Sequence, residues 1–230
     1  MNGPITLQLG GWLAQALATD SPTLPTAGAM QVWLHLGWSV VLAWLGVKLT
    51  ERLLAGRVQI KWLHWLAGLC MAAWAWLPGP GGVAYWLGLA FQAPSATGVL
   101  LCAALLRFSD PPQPSGGLLL WQAGLAALLG WALLLDSFAV LPMQLYAWGF
   151  SPAALFLVVL LAMLPWVFGG HMSQHSLMAA YGVVPLAALV FVVWRLPSGN
   201  VWDAVLDPWV WVALQVWLLK RGWMRYKSSS

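Results

Sequence analysis

Between residues 30 and 194 the chain is a succession of apolar runs, each stopped by a charge, a proline or a glycine cluster. The runs cover 30–47, 62–77, 83–106, 117–135, 151–168 and 176–194. Most have the length a helix needs to cross an apolar core of about 30 Å at a rise of about 1.5 Å per residue. Charged residues make up only 7% of the chain and hydrophobic residues 61%, and the mean hydropathy is +0.79. A soluble domain carries about a quarter charged residues. Six acids and ten bases cannot furnish a water-facing surface of ordinary size. The expected fold class is therefore all-α, a polytopic membrane helix bundle.

The last apolar segment is less plain. Asp207-Pro208 reads as an N-cap followed by proline at the first helical position. Residues 209–219 are the sustained apolar part, interrupted by Gln215 and followed by Lys220, Arg221, Arg225 and Lys227. The charge pattern decides whether it crosses. With seven spans and the amino terminus outside, Lys48, Arg52, Arg57, Lys61, Arg107, Lys220, Arg221, Arg225 and Lys227 all fall inside, and Arg195 alone among the ten bases falls outside. Cytoplasmic loops are rich in Lys and Arg, so this arrangement is favoured over one in which the last segment stays on one side. The expectation is seven transmembrane helices, amino terminus outside and carboxyl terminus inside. Residues 1–28 read as an outer interfacial helix and linker, 29–220 as the membrane domain, and 221–230 as a basic inner tail.

In residues 1–28 there is no Lys or Arg. Ala16-Leu17-Ala18 resembles a cleavage site, but a signal peptide has a basic start and a denser apolar core, so these residues are expected to remain. Ile5, Leu9, Trp12, Leu13, Ala16 and Leu17 share one helical face, as in a helix lying in the interface. The 19 Trp suit the same boundary, where an indole is half buried and its N–H finds a polar partner. The net charge of +4 follows from bases flanking apolar spans and gives no reason to expect nucleic acid. Cys70 and Cys102 both lie within apolar runs and read as small buried hydrophobes rather than a disulfide framework.

Candidate chemistry lies first in the turn 169–175, Gly169-Gly170-His171-Met172-Ser173-Gln174-His175. His171 and His175 share a helical face at i, i+4 and can hold one metal ion, with Met172 as a soft ligand. His64 falls at a similar depth near the inner face, and Cys102 about one helical turn within the inner end of its span. A copper(I) site from His171, His175, Met172 and Cys102 is chemically sensible, and so is a b-type haem between His64 and one of the pair. The same residues also read as an ordinary helix connection, because a histidine at the interface is half solvated. Cysteine pairs spaced for zinc, paired catalytic carboxylates, a Ser-His-Asp order and a phosphate loop are all absent from the sequence, and no enzyme is expected.

A second constellation lies within the spans. Pro94 stands near the middle of the third run with Gln92, Ser95 and Thr97 beside it, and Pro185 near the middle of the sixth with Gly182 one turn earlier. Broken helices at matching places in inverted halves point to a transporter's midplane site. Gln92 is the strongly polar group at that depth and wants an internal partner. Asp136, at the end of the fourth run, is a further candidate, since a carboxylate at a membrane span is a functional-site hypothesis by default. Asp203, Asp207 and Arg195 lie on its side and are expected to form a local ion pair. The Trp-rich segment 202–217 reads as an interfacial anchor or as a contact face for a partner complex.

Part of the chain resembles the CtaG family of cytochrome oxidase assembly factors. The likeness rests on His171-Met172-Ser173-Gln174-His175, then Trp194-Arg195-Leu196-Pro197 and Trp202-Asp203-Ala204, in that order. Arg195 stands where that family has another histidine, and residues 1–150 show no such likeness. The resemblance implies a seven-span protein with a role in copper delivery or oxidase assembly. The leading expectation is thus a non-catalytic accessory or assembly factor of the bacterial inner membrane, in contact with the lipid bilayer and with another membrane protein complex, with copper or b-type haem as candidate ligands. The alternatives are a small-solute transporter with its site at Gln92, Pro94, Pro185 and Asp136, and a structural subunit of a membrane complex.

Overall fold

A computed structural model of the chain describes residues 18, 22–54, 61–107, 117–168 and 181–229. The interfacial helix expected within residues 1–28 and the turn 169–175 lie outside the described residues. Among those described there are ten α-helices and no strand: α1 (Ala27–Leu53), α2 (Lys61–Trp74), α3 (Val83–Phe91), α4 (Ala96–Arg107), α5 (Gly117–Ser137), α6 (Leu145–Trp148), α7 (Pro152–Phe168), α8 (Val183–Trp194), α9 (Val201–Val205) and α10 (Pro208–Ser229). Two helices, Ala27–Leu53 and Leu119–Ser137 of α5, are long and apolar enough to cross a membrane.

α1 starts where the Thr26 hydroxyl accepts the Ala29 N–H at 3.2 Å, a side-chain cap that satisfies one of the helix's free donors. It outlasts its apolar run. Lys48 and Glu51 pair at 2.8 Å on the exposed face, and Arg52 meets the negative end of the helix dipole in the last turn. α1 and α2 approach closely along glycines. A Cβ on Gly68 would stand 2.8 Å from Val47 Cγ2 and 2.9 Å from the Ala43 carbonyl. Small residues at a helix seam let the backbones meet, and here Ser39 adds a hydroxyl bond to the Ala72 carbonyl at 3.1 Å. The Pro78–Gly82 connection beyond α2 is pinned by two indoles: Trp74 Nε1 donates to the Gly81 carbonyl at 3.0 Å and Trp86 Nε1 to the Pro80 carbonyl at 2.9 Å.

The apolar run 83–106 is two helices, not one. α3 ends at Phe91, the chain turns through Gln92 with φ 61° and ψ −156°, and α4 begins at Ala96. Pro94 supplies the cause, because it has no N–H for the ladder and its ring collides with the preceding turn. α4 then serves as the hub, packing against α1, α8, α9 and α10. α5 packs on α10, where Trp211 lies over Gly130 and donates its indole N–H to the Ala127 carbonyl at 3.1 Å. α10, like α1, runs beyond its apolar part, through Lys220 and Arg225 to Ser229.

Small side chains fill much of the interior and large ones cover the outside. Ala96, Ala154, Ala187 and Ser95 are fully enclosed, whereas Trp121, Leu128, Phe156 and Leu219 are largely exposed. Only 11% of the most apolar stretch of α5 is buried, against 39% for α1.

Candidate functional site

Interrupting a helix among apolar neighbours frees backbone groups that must find partners. At the α3–α4 break three of the partners come from distant parts of the chain. Trp38 Nε1 donates to the Gln92 carbonyl at 2.9 Å and Trp33 Nε1 to the Pro94 carbonyl at 3.0 Å. On the donor side, the Ser95 hydroxyl accepts the Gly98 N–H at 2.9 Å and so caps α4. Asp207 Oδ2 accepts the Ser95 N–H at 2.9 Å, and Oδ1 accepts the Val210 N–H at 2.7 Å. One carboxylate therefore serves the starts of both α4 and α10, where the positive ends of the helix dipoles favour its charge. Gly37 makes room for the break, since a Cβ there would stand 2.7 Å from Pro94 Cγ.

A cleft of about 790 Å³ opens against this break. Gln92 and Pro94 line it from the break, Tyr146 from α6, Ser198 and Asp203 from the α8–α10 connection, and Asp207 with Trp209 from the start of α10. The size lies within the usual range for small-molecule sites, about 300–1,000 Å³. Its aromatic wall includes Phe91 and Trp209, edge to face with centroids 5.1 Å apart. The Tyr146 hydroxyl donates to Asp203 Oδ2 at 2.7 Å, and the Ser198 hydroxyl donates to the same oxygen. Burial lifts the Tyr146 phenol above its ordinary pKa, and the adjoining Asp203 carboxylate, which also accepts its hydrogen bond, adds to the lift. The phenol is thereby kept as a donor.

Behind the cleft the connection is fixed by a buried polar group. Asn200 is fully enclosed; its amide Nδ2 donates to the Tyr146 carbonyl at 2.8 Å and its Oδ1 accepts the Trp202 N–H at 2.9 Å, capping α9. Trp202 Nε1 reaches the Leu145 carbonyl at 3.0 Å. Gly149 lies against both, and a Cβ there would overlap Asn200 Oδ1 and the Trp202 ring.

The residues singled out from the sequence separate into three groups. Gln92 and Pro94 stand together at the cleft. Asp136 ends α5 nearby and accepts the Tyr146 N–H at 2.8 Å, so it caps α6 without lining the cleft. Pro185 is in the first turn of α8, where a missing N–H costs nothing, and it is not at the cleft. His64 and Cys102 lie on α2 and α4, which both pack on α1. His171, Met172 and His175 lie outside the described residues. Among the described residues no three His, Cys, Asp or Glu are grouped to hold a metal ion.

Arg195 does not pair with Asp203 or Asp207 as the sequence led one to expect. It takes a left-handed conformation at the end of α8, and its guanidinium stands 5.2 Å from the centre of the Phe191 ring. Of the Trp-rich segment 202–217, Trp202 and Trp211 are engaged within the chain, while Trp209 remains exposed at the cleft.

Sequence reasoning did not find Tyr146 and Ser198 as cleft residues, nor the two indole donors. It identified Asp207 as the cap of α10, but the second contact that Asp207 makes is to Ser95, 112 residues earlier in the chain. Comparison with protein-family models, with curated proteins and with solved structures finds no match.

Proposed function

We propose that the chain is a polytopic inner-membrane protein that moves a small solute, taken up in the cleft at the α3–α4 break. The carrying observation is the broken helix itself: at Gln92–Ser95 irregular backbone stands among apolar helices and borders a cavity that also holds Tyr146, Ser198, Asp203 and Asp207. In a bilayer such backbone is tolerated where it is enclosed by protein or lines a cavity, and discontinuous helices mark the sites of secondary transporters. The outward-facing large side chains and the weak burial of α5 support lipid as the surrounding medium. The charge pattern supports seven spans with the amino terminus outside, which sets the cleft toward the outer side.

Cysteine accessibility tests this reading. In a Cys70→Ser, Cys102→Ala background, Gln31→Cys at the cleft rim is expected to react with an impermeant maleimide in right-side-out vesicles. Thr97→Cys, buried in the first turn of α4, is expected to react from the other side in inverted vesicles, as alternating access requires. A Thr97→Cys protein that stays unlabelled from both sides would sink the transport reading and leave a static scaffold.

A second reading, copper or haem handling at the opposite end of the bundle, is favoured by one observation. Among the described residues no hydrogen-bond partner meets the enclosed His64 Nδ1. In that reading His64 joins His171, His175, Met172 or Cys102, and the role is that of an oxidase assembly factor, as the family resemblance implies. Metal and haem analysis of the mildly purified protein decides it: bound copper or a Soret band that disappears in the His171→Ala, His175→Ala double variant supports the site, and metal-free, colourless protein rejects it.

A further inference from the structure

Beyond the cleft's role as a solute site, on which this inference rests, its walls define what it accepts. Two carboxylates, Asp203 and Asp207, line one cavity. Among the described residues no Lys, Arg or His lines it with them. Among the described residues neither carboxylate is in a salt bridge, the one such pair being Lys48–Glu51. The nearest base in sequence, Arg195, lies over Phe191 instead.

The carboxylates retain acceptor capacity. An ionised carboxylate offers about four lone-pair sites. Asp207 uses one on each oxygen, for Ser95 and Val210. Asp203 uses Oδ2 for Tyr146 and Ser198, and among the described residues no donor meets its Oδ1. Among the described residues no base lines the cleft to offset these carboxylates, and low-dielectric walls strengthen the attraction for a positive charge. The aromatic residues Trp38, Phe91, Tyr146 and Trp209 line the same space. Such faces attract a cation and also cover an apolar body. A hydrated inorganic ion has no use for this second property, and an anion is repelled by the first.

We propose that the cleft binds an organic ammonium: a protonated amine whose N–H groups reach Asp203 and whose apolar part lies against Phe91 and Trp209. Charge and apolar wall are both needed, so the acid or alcohol of the same shape is discriminated against.

The full chain reconstituted in nanodiscs tests the proposal with three probes of matched shape: phenethylamine, 2-phenylethanol and phenylacetate. Calorimetry is expected to show saturable binding of phenethylamine, at least about tenfold tighter than the alcohol, and no binding of phenylacetate. Phenethylamine should also slow maleimide labelling of Gln31→Cys. Asp203→Asn should weaken the amine about tenfold or more and leave the alcohol unchanged. Trp209→Leu, which keeps the Tyr146–Asp203 contact, should weaken the amine several-fold and so provides a test if Asp203→Asn unfolds. Equal affinity for amine and alcohol, preference for phenylacetate, or no binding by any of the three overturns the ammonium assignment. If the alcohol or acid protects Gln31→Cys, the cleft survives as a solute site with a different ligand class. If Thr97→Cys is unlabelled from both sides whichever probe binds, the transport reading fails independently of the ligand.

Discussion

Ser95 and Asp207 meet through a 2.9 Å hydrogen bond from a backbone N–H to a carboxylate oxygen, across 112 residues of chain. Because Asp207 also takes the Val210 N–H, the contact joins the start of α4 to the start of α10 through one side chain. A side-chain cap is worth about 0.5–2 kcal/mol. Asp207→Ala removes two such contacts and is expected to destabilise the protein by about 1–4 kcal/mol, read as a lower midpoint of thermal unfolding in detergent. Asp207→Asn keeps one acceptor oxygen and should fall between the variant and the parent; an Ala variant as stable as the parent would show that water replaces the carboxylate.

The indoles at the break make a separable prediction. Trp33→Phe and Trp38→Phe keep much of the ring volume and remove the donors to the Pro94 and Gln92 carbonyls. A buried acceptor left unpaired costs about 1–3 kcal/mol. Trp33 is buried with its partner, so its loss should be felt in full, whereas Gln92 is at the cleft where water can replace the indole. Thermal unfolding of the two variants should therefore rank Trp33→Phe as the more damaging; the opposite order would mean that water does not reach Gln92.

Two glycines of α5 provide a paired comparison. Gly130→Ala places a methyl group where the Trp211 ring lies, while a Cβ on Gly124 meets nothing within 4 Å. Overpacking costs about 1–3 kcal/mol, and replacing an unhindered helical glycine by alanine gains up to about 1 kcal/mol. Gly130→Ala should lower the unfolding midpoint and weaken the α5–α10 contact; Gly124→Ala should leave it level or raise it. Like shifts for both would show that the α5–α10 seam yields readily.

The Tyr146 phenol sets a pH dependence. Its folded pKa lies above the ordinary 10.0, first through burial and then through Asp203. A raised folded value means that the stabilising contribution is fully present below the unfolded pKa and is lost as pH rises through the folded one. Stability should thus be insensitive to this group up to about pH 10 and decline above it, and Tyr146→Phe should remove that part of the alkaline decline. Melting curves at several alkaline pH values decide the matter; an identical decline in both proteins would assign it to other groups.

Much of the helical content was readable because each apolar run ends in residues that interrupt or cap helices. Asp207-Pro208 located the start of α10, whereas the run 83–106 reads as one span in the sequence and Pro94 marks its break only as part of the transporter alternative. The helix ends were less legible. α1 continues through Lys48–Glu51 and α10 through its basic tail, since helical hydrogen bonding does not stop where apolar character stops. The short helices α6 and α9 were missed because four and five residues show no period. The cleft's far wall was hidden for a different reason. Tyr146–Asp203, Ser95–Asp207 and Trp33–Pro94 are pairs that only the folded chain brings together.

The seating of α5 on Trp211 of α10 bears on the order in which the protein can be assembled. The Trp211 indole reaches back 84 residues to Ala127. During synthesis α5 is therefore complete long before this part of its seat exists, although α7 follows sooner and meets it through Gln122 and the Leu161 carbonyl. In the membrane reading proposed above, the largely apolar surface of α5 fits that interval, because an inserted helix with satisfied backbone can remain in lipid. α10, which emerges after α5, then acts as a clasp: its Trp211 seats on α5 while Asp207 at its start takes hold of the α3–α4 break.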